Sequence, residues 1–568
     1  MASLDRNLRR DLENAVKKAR RVADAGARQV LEQLAVNHHE PWPALTPEQR
    51  KLRNRLRAHG RQLGDRFDEK RGTQAIDRLA AECAYEHWHR LLFARFLAEN
   101  DLLVEPHSAM ALSLDECREL ARERGVDWLV LASDFAQKML PQIFRSGDPV
   151  LEVILPPEVR QELEAILEAL QRDVFTADDS LGWVYQYWQS EQKDTVNKSE
   201  KKIGAEELPA VTQLFTEDYM VLSLLHNTLG AWWSGKVLRE RPGLAQSALS
   251  EVELRAACSL PGLTWAYLRF VNENGAWRPA AGTFDGWPKA AKDLSLLDPC
   301  MGSGHFLVFA LPMLAAFRMS EEGLSAKSAV EAVLRENLFG LELDPRCTQI
   351  AAFNLALAAW RICGHVPLPA MNLACSGLAV SAKRADWVAL AGADSRMRGG
   401  MEQLYSLFER APLLGSLVDP LRRTATLLEA DLTELSAVFS RAIEAESHDE
   451  VRQETAVAAY GLSRAATLLA RHYTLVITNV PYLNKGKQTP ILQEYCESAH
   501  YDARNNLACA FTDRALRFAA PAGTVGVVTI SEMLFQKGHA DFRKRLLRDT
   551  RWDAVVRLGP GAFEAISG

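Results

Sequence analysis

Cysteine is scarce in this chain, nine in 568 residues, and no two form a Cys-x-x-Cys pair. That spacing argues against zinc and iron–sulfur sites, so no metal is expected, and it fits reduced thiols in the cytoplasm. No apolar run reaches the length of a membrane span. The first 21 residues read as a charged helix, not as a secretory leader. Positive charge is not in excess either: the net charge is −6, so nothing global points to nucleic acid. No internal repeat or low-complexity tract is evident, which sets aside solenoids and arrays. What is present is ordinary globular material, 48% hydrophobic and 25% charged. A chain of this length should hold about two to four domains with sizeable cores.

Charge is uneven. Residues 1–75 carry 17 Lys/Arg against 10 Asp/Glu, and Arg50-Lys-Leu-Arg-Asn-Arg-Leu-Arg57 is dense in arginine. That stretch is either a phosphate-contacting patch or a solvated helix face. Residues 1–200 read as helices. In Ile76–Asn100, Tyr85, Trp88, Leu92 and Phe96 recur at helical spacing and form one apolar face. His87 and His89, two apart, cannot share a helix face and read as ordinary histidines. Leu181–Trp188 is a compact aromatic segment expected in a core, and the polar stretch 190–207 is expected to be a linker.

From residue 208 strand and helix signals alternate. The candidate strands are Leu294–Leu297, Leu338–Leu343, Leu373–Cys375, Leu475–Ile477, Thr524–Ile530 and Trp552–Leu558. Helical patterns intervene, among them Pro345–Cys363 and His539–Thr550. The alternation predicts an α/β fold with a doubly wound sheet. The division expected is an α-helical N-terminal domain, 1–200, and a catalytic domain, 208–568. Residues 378–470 are read as a helical insertion on the sheet.

Two short strings follow apolar runs and carry the chemistry. The first is Asp298-Pro-Cys-Met-Gly-Ser-Gly-His-Phe306. Gly302 and Gly304 permit a tight strand-to-helix turn and close backbone approach to a ligand. Asp298 can accept from an ammonium group, and the helix that follows offers its N-terminus to a carboxylate. Downstream, Glu342 or Asp344 should grip ribose hydroxyls. Glu342 is favoured, because Asp344 precedes a proline and suits a helix cap. The second string is Asn479-Val-Pro-Tyr482. An exocyclic amine conjugated to a ring is a poor nucleophile, and acceptors at its nitrogen favour a more reactive geometry. The Asn479 side-chain oxygen and the Val480 carbonyl can supply them, while the Tyr482 ring stacks on a flat base. The Tyr482 hydroxyl has no expected role. Together the strings suggest methyl transfer from S-adenosylmethionine to an exocyclic amine. Upstream, Phe215 and Thr216 either face the methionine half of that cofactor or, with Thr216 as N-cap, simply begin a helix.

These residues resemble the gamma-class amino-methyltransferases of DNA, in which a Phe-Thr segment, a glycine loop and an Asn-Pro-Pro-Tyr loop follow in this order. The closer resemblance is to the large adenine-specific enzymes of phage defence, of the BREX (PglX-like) and DISARM kinds, and to type IIG and ISP-like restriction–modification proteins. It rests on Leu181–Tyr187, Val211–Thr216, Asp298–Phe306, Asn479–Tyr482 and Arg557–Gly568, and covers roughly residues 80–568. It implies an S-adenosylmethionine-dependent methyltransferase fold, Rossmann-like, acting on N6 of adenine flipped out of double-stranded DNA, with other defence-system proteins as partners. It implies a cofactor set of Phe215, Thr216, Asp298, Pro299, Gly302, Ser303, Gly304, Phe306 and Glu342, with Ser376 or Asp431 toward the cofactor's adenine. The catalytic loop is Asn479, Val480, Pro481 and Tyr482. Val480 stands where the family has a first proline. Of Lys485, Lys487, Lys537, Arg543 and Lys544, at least some are expected to border the DNA cleft, the alternative being scattered surface charge. The family continues beyond its sixth strand with a seventh, antiparallel strand and a target-recognition domain, so a longer protein is expected. The alternatives are methylation of a glutamine side chain or an RNA base, and a non-catalytic scaffold of the same fold.

Overall fold

The computed structural model describes residues 4–108, 110–139, 148–199, 201–378, 380, 384–389, 391–392, 394–423, 450–559 and 562–563. They divide into two compact units. One gathers the residues up to Glu191 together with 380–405 and 450–460. The other gathers 192–378, 406–423 and 461–563. Part of the stretch read as an insertion on the sheet thus groups with the helical unit.

The first unit is helical. Helix Arg6–Gln33 buries Leu12, Val16, Ala19, Ala23, Ala27 and Leu31, a stripe at helical spacing. Helix Asp77–Glu99 is buried along much of its length. Helix Pro47–Leu63 starts with a capping box, Thr46 with Gln49, has proline at its first turn, and stops at Gly64 in the left-handed region. The arginine-dense stretch lies in this helix. Arg53 and Arg57 are buried. Arg53 donates to the carbonyls of Ala35, His38 and His39, and Arg57 to those of Val36 and His38. They are neither a phosphate patch nor a solvated face, because their donors are used in closing the turn after the first helix. His89 packs on the Tyr85 ring at 3.6 Å. Leu181–Trp188 lies in helix Ser180–Lys198 and is buried apart from the half-exposed Gln186. The expected linker 190–207 is therefore helical as far as Lys198; its polar residues mark an exposed helix end.

The second unit is built on five parallel strands: β1 Leu296–Asp298, β2 Leu338–Glu342, β3 Asn372–Cys375, β4 Tyr473–Asn479 and β5 Ala519–Val528. Their spatial order is β3-β2-β1-β4-β5. β2 is buried at every position and β4 at all but the last, as strands covered on both faces should be. Helices His305–Glu322 and Ala326–Glu336 both lie between β1 and β2, which explains the wide spacing from the glycine turn to Glu342. The strand order reverses between β1 and β4. The carboxyl ends of these two strands therefore flank the crevice in which open α/β sheets bind ligands. A hairpin, Phe270–Glu273 with Ala276–Pro279, turns at Asn274-Gly275, both with positive φ.

Trp552–Leu558 is not a strand. Val555, Val556 and Leu558 are exposed, and among the described residues no strand pairs with this stretch. Its β-branched residues suit a strand, but a strand exists only as half of a ladder. No helix among the described residues is long and apolar enough to cross a membrane.

Candidate active site

β1 ends at Asp298, and the chain turns back into a helix within six residues. Gly302 and Gly304 have φ of +53° and +81°. At Gly304 a Cβ would also lie 3.1 Å from that of Ala351, so helix packing and backbone conformation both require glycine there. Beside Gly302 there is open space. The turn is pinned by Met301 N–H on the Leu341 carbonyl, 3.0 Å, and by Asn354 Nδ2 on the Ser303 carbonyl, 3.1 Å. Pro299 and Phe306 are buried beneath it.

The end of β2 separates the two acidic candidates. Glu342 Oε2 accepts from Gly302 N–H at 2.8 Å, and Oε1 from the N–H groups of Leu343 and Asp344. Asp344 caps the next helix, its Oδ1 accepting from Arg346 N–H at 2.9 Å. Burial pushes Glu342 up to about 7 against the pull of those N–H groups. Burial likewise pushes Asp298 up to about 7, the Thr478 hydroxyl and Cys300 N–H opposing and the Glu342 charge adding to the rise. Asp298 Oδ1 accepts from Cys300 N–H, while the buried Oδ2 makes no well-formed hydrogen bond. Two buried carboxyls thus face one turn.

β4 ends at Asn479. Val480, fully buried, donates its N–H to the Val528 carbonyl of β5. Asn479 Nδ2 donates to Thr216 Oγ1 at 3.1 Å and to the Leu214 carbonyl at 3.4 Å. Its Oδ1 accepts from the Tyr482 hydroxyl at 2.6 Å. These partners assign the amide's orientation. The Tyr482 hydroxyl therefore has a role that the sequence does not suggest, and burial holds its phenol above the ordinary range. Pro481 is half-buried between them.

Thr216 does not cap the following helix. The N-cap is Glu217, one residue later, and the Thr216 hydroxyl is turned to Asn479 instead. Phe215 stacks on the His305 ring at 4.7 Å. Gln213 Nε2 reaches Cys347 Sγ at 3.0 Å. Residues 213–216 thus run from the helix after β2 to the loop after β4.

After β3, Ser376 is fully buried. Its N–H and hydroxyl both bond the Glu342 carbonyl, and its Oγ lies 3.0 Å from Ser416 Oγ. Ser416 belongs to a segment tied down by Arg514, which donates to the Ser416, Val418 and Leu469 carbonyls. Asp431 lies outside the described residues. Among the expected cations, Lys485 pairs with Glu497 at 2.6 Å, Lys544 lies 3.9 Å from Asp541, and Arg543 donates to the Met533 and Gln536 carbonyls. Lys487 and Lys537 are exposed.

Asn354 and His305 carry contacts that the sequence reading missed. Asn354 gives no local signal. His305 does: a side chain able to carry positive charge is unfavourable in the first turn of a helix.

A model of the Eco57I restriction-modification methylase family matches residues 336–563. Over 545 residues the chain is 24% identical to the adenine-specific methyltransferase PglX of Lacticaseibacillus casei (strain Zhang), covering 87% of this chain and 43% of that protein. Over 459 residues it is 27% identical to the adenine-specific methyltransferase BrxX of Escherichia coli O9:H4 (strain HS), covering 76% of this chain and 36% of that protein. The chain therefore spans less than half the length of either relative. Among solved structures, a DrdV–DNA complex aligns with 96% of this chain and 38% of its own at a TM-score of 0.41 and 12% identity. A nuclease-deletion mutant of the Type ISP restriction-modification enzyme LlaGI, in complex with a DNA substrate mimic, aligns with 94% of this chain and 31% of its own at a TM-score of 0.39 and 13% identity. The chain is similar to adenine-specific methyltransferases over most of its length, and its parallel sheet is that of an α/β, Rossmann-like methyltransferase fold.

Proposed function

We propose that this chain transfers the methyl group of S-adenosylmethionine to N6 of an adenine flipped out of double-stranded DNA, as a site-specific methyltransferase of a bacterial phage-defence or restriction–modification system. The observation that carries this reading is the Asn479 amide, held from both ends at the strand-order reversal, next to the glycine turn. S-adenosylmethionine supplies a methyl carbon already activated by its sulfonium, so no nucleophilic side chain is required. The residues present fit that cofactor. Asp298 Oδ2 is buried and lacks a well-formed hydrogen bond, ready for an ammonium group. Gly302 borders open space, and Glu342 stands against it to take ribose hydroxyls. In this reading Phe215 closes the methionine side, and the turn at Ser376 is assigned to the cofactor's adenine.

In this reading Asn479 Oδ1 accepts a hydrogen of the target amine, and the Val480 carbonyl is the second acceptor. Both strengthen as the nitrogen becomes tetrahedral, so they act on the transition state more than on binding. Tyr482 stacks on the flipped base, a contact worth about 1–3 kcal/mol, while its hydroxyl holds Asn479 Oδ1 in place. Lys487 and Lys537 neutralise phosphates, and other proteins of the defence system are partners of the assembled enzyme.

The test is transfer of labelled methyl to DNA, RNA and protein by the wild type and by Asn479→Ala, with the product base identified. N6-methyladenine in DNA, lost in the variant, is the expected result. Label in a glutamine side chain or an RNA base would reassign the substrate. Cofactor binding without any transfer would leave a scaffold.

A further inference from the structure

We infer that His305 is a positioning residue for the Asn479 amide, acting through Thr216. This rests on reading Asn479 as the acceptor of the target amine. His305 opens helix His305–Glu322, where the helix dipole disfavours a positively charged ring. Nδ1 lies 2.9 Å from the Thr216 carbonyl oxygen. A carbonyl only accepts, so Nδ1 carries a proton. Nε2 lies 3.1 Å from Asp218 Oδ1, a close contact not aligned as a hydrogen bond. Phe215 stacks on the ring, and Phe309 meets it edge-on, both with centroids 4.7 Å away.

The ring is 4% exposed and cannot turn in this setting. It holds Phe215 by its face and Thr216 by its carbonyl. Thr216 is thus gripped twice: its carbonyl by His305, its hydroxyl by Asn479 Nδ2 at 3.1 Å. Any shift of that backbone moves the hydroxyl, and with it the amide whose Oδ1 meets the Tyr482 hydroxyl at 2.6 Å. The hydrogen-bonded path His305–Thr216–Asn479 is continuous. It joins the glycine turn, where His305 follows Gly304, to the loop after β4. A histidine suits this post because one flat ring offers both a donor at Nδ1 and an aromatic face; an amide side chain offers only the donor.

The test is a double-mutant cycle on methyl transfer to adenine-containing DNA, with S-adenosylhomocysteine titrations alongside and thermal melts to establish folding. His305→Ala should lower the single-turnover rate by about 10- to 100-fold, the scale of a small misplacement of a reacting group, while KM for DNA changes little. His305→Gln, which can still donate to the Thr216 carbonyl, should recover part of the rate. On a Thr216→Val background, at saturating S-adenosylmethionine, His305→Ala should remove nothing further, since the path is already cut. Losses that multiply in the double variant overturn the proposal, as does a wild-type rate in His305→Ala. A wild type that methylates no DNA sinks the functional reading instead, and the titrations then decide on His305. His305→Ala should weaken S-adenosylhomocysteine binding severalfold alone and not at all on a Phe215→Ala background. Equal weakening in both backgrounds overturns it.

Discussion

Two regions of this molecule bury charge, and they treat it in opposite ways. In the helical unit, Arg53 and Arg57 are buried and their donors meet backbone carbonyls between Ala35 and His39. Asp179, also buried, accepts from Leu4 N–H and Trp183 Nε1 and lies 3.7 Å from Arg9. In the crevice of the sheet, Asp298 and Glu342 are buried with only N–H and hydroxyl groups opposing the desolvation, and both are pushed up to about 7. A buried charge that serves the fold is paired at once, because an uncompensated one costs several kcal/mol. A buried charge left underpaired at the strand-order reversal is placed for something that arrives later.

If that contrast is real, substitutions in the crevice should cost chemistry and spare the fold, and those in the helical unit should do the reverse. The largest effect is expected at Asn479. Asn479→Ala should lower turnover by about 10³-fold with cofactor affinity nearly unchanged, because its acceptor matters most in the transition state. Single-turnover methylation and calorimetry together measure this. Arg57→Ala should instead cost about 3 kcal/mol of stability, leaving buried carbonyls without donors. Denaturant unfolding reads that loss, and a cofactor affinity that fell as well would blur the contrast. Glu342→Ala should weaken S-adenosylmethionine binding by roughly 1.5–3 kcal/mol, the worth of a hydrogen bond to a charged group. Unchanged affinity would pass the ribose role to another residue, Asp344 first.

The smallest effect is in pH. The cofactor's positive charges favour ionised Asp298 and Glu342, so binding releases protons that the free protein holds up to about pH 7. Affinity should therefore rise with pH, by about tenfold between pH 6 and 8. Stability runs the other way. Both folded-state values are raised above the unfolded ones, so the protons held add stability at low pH, and that contribution is lost as pH rises through about 7. Asp298→Asn should flatten both curves and raise the melting temperature at pH 8. A flat wild-type affinity profile would mean that the carboxyls are already ionised in the free protein.

Local pattern made much of this molecule legible. The apolar runs before Asp298, Glu342, Cys375 and Asn479 lead into the strands β1 to β4, and Pro345–Cys363 is the helix its periodicity describes. The glycine turn and the Asn-x-Pro-Tyr loop were legible for a related reason: each depends on residue types that few neighbours can replace. The errors share another cause. Trp552–Leu558 has strand residues but no ladder among the described residues, residues 190–198 have linker composition but continue a helix, and Thr216 has a capping hydroxyl that bonds Asn479. In each, a tertiary partner, present or absent, overrode local preference.

By itself, then, the sequence determined the strand and helix sequence, the order of the motifs and the chemistry of their side chains, since backbone propensity and apolar periodicity act over a few residues. Only the tertiary structure decided which groups meet. Thr216 reaches Asn479 across 263 residues, His305 reaches Thr216 across 89, and Gly302 reaches Glu342 across 40. Such bonds depend on the register of parallel strands and on the packing of the helices between them, and neither is encoded within any one segment.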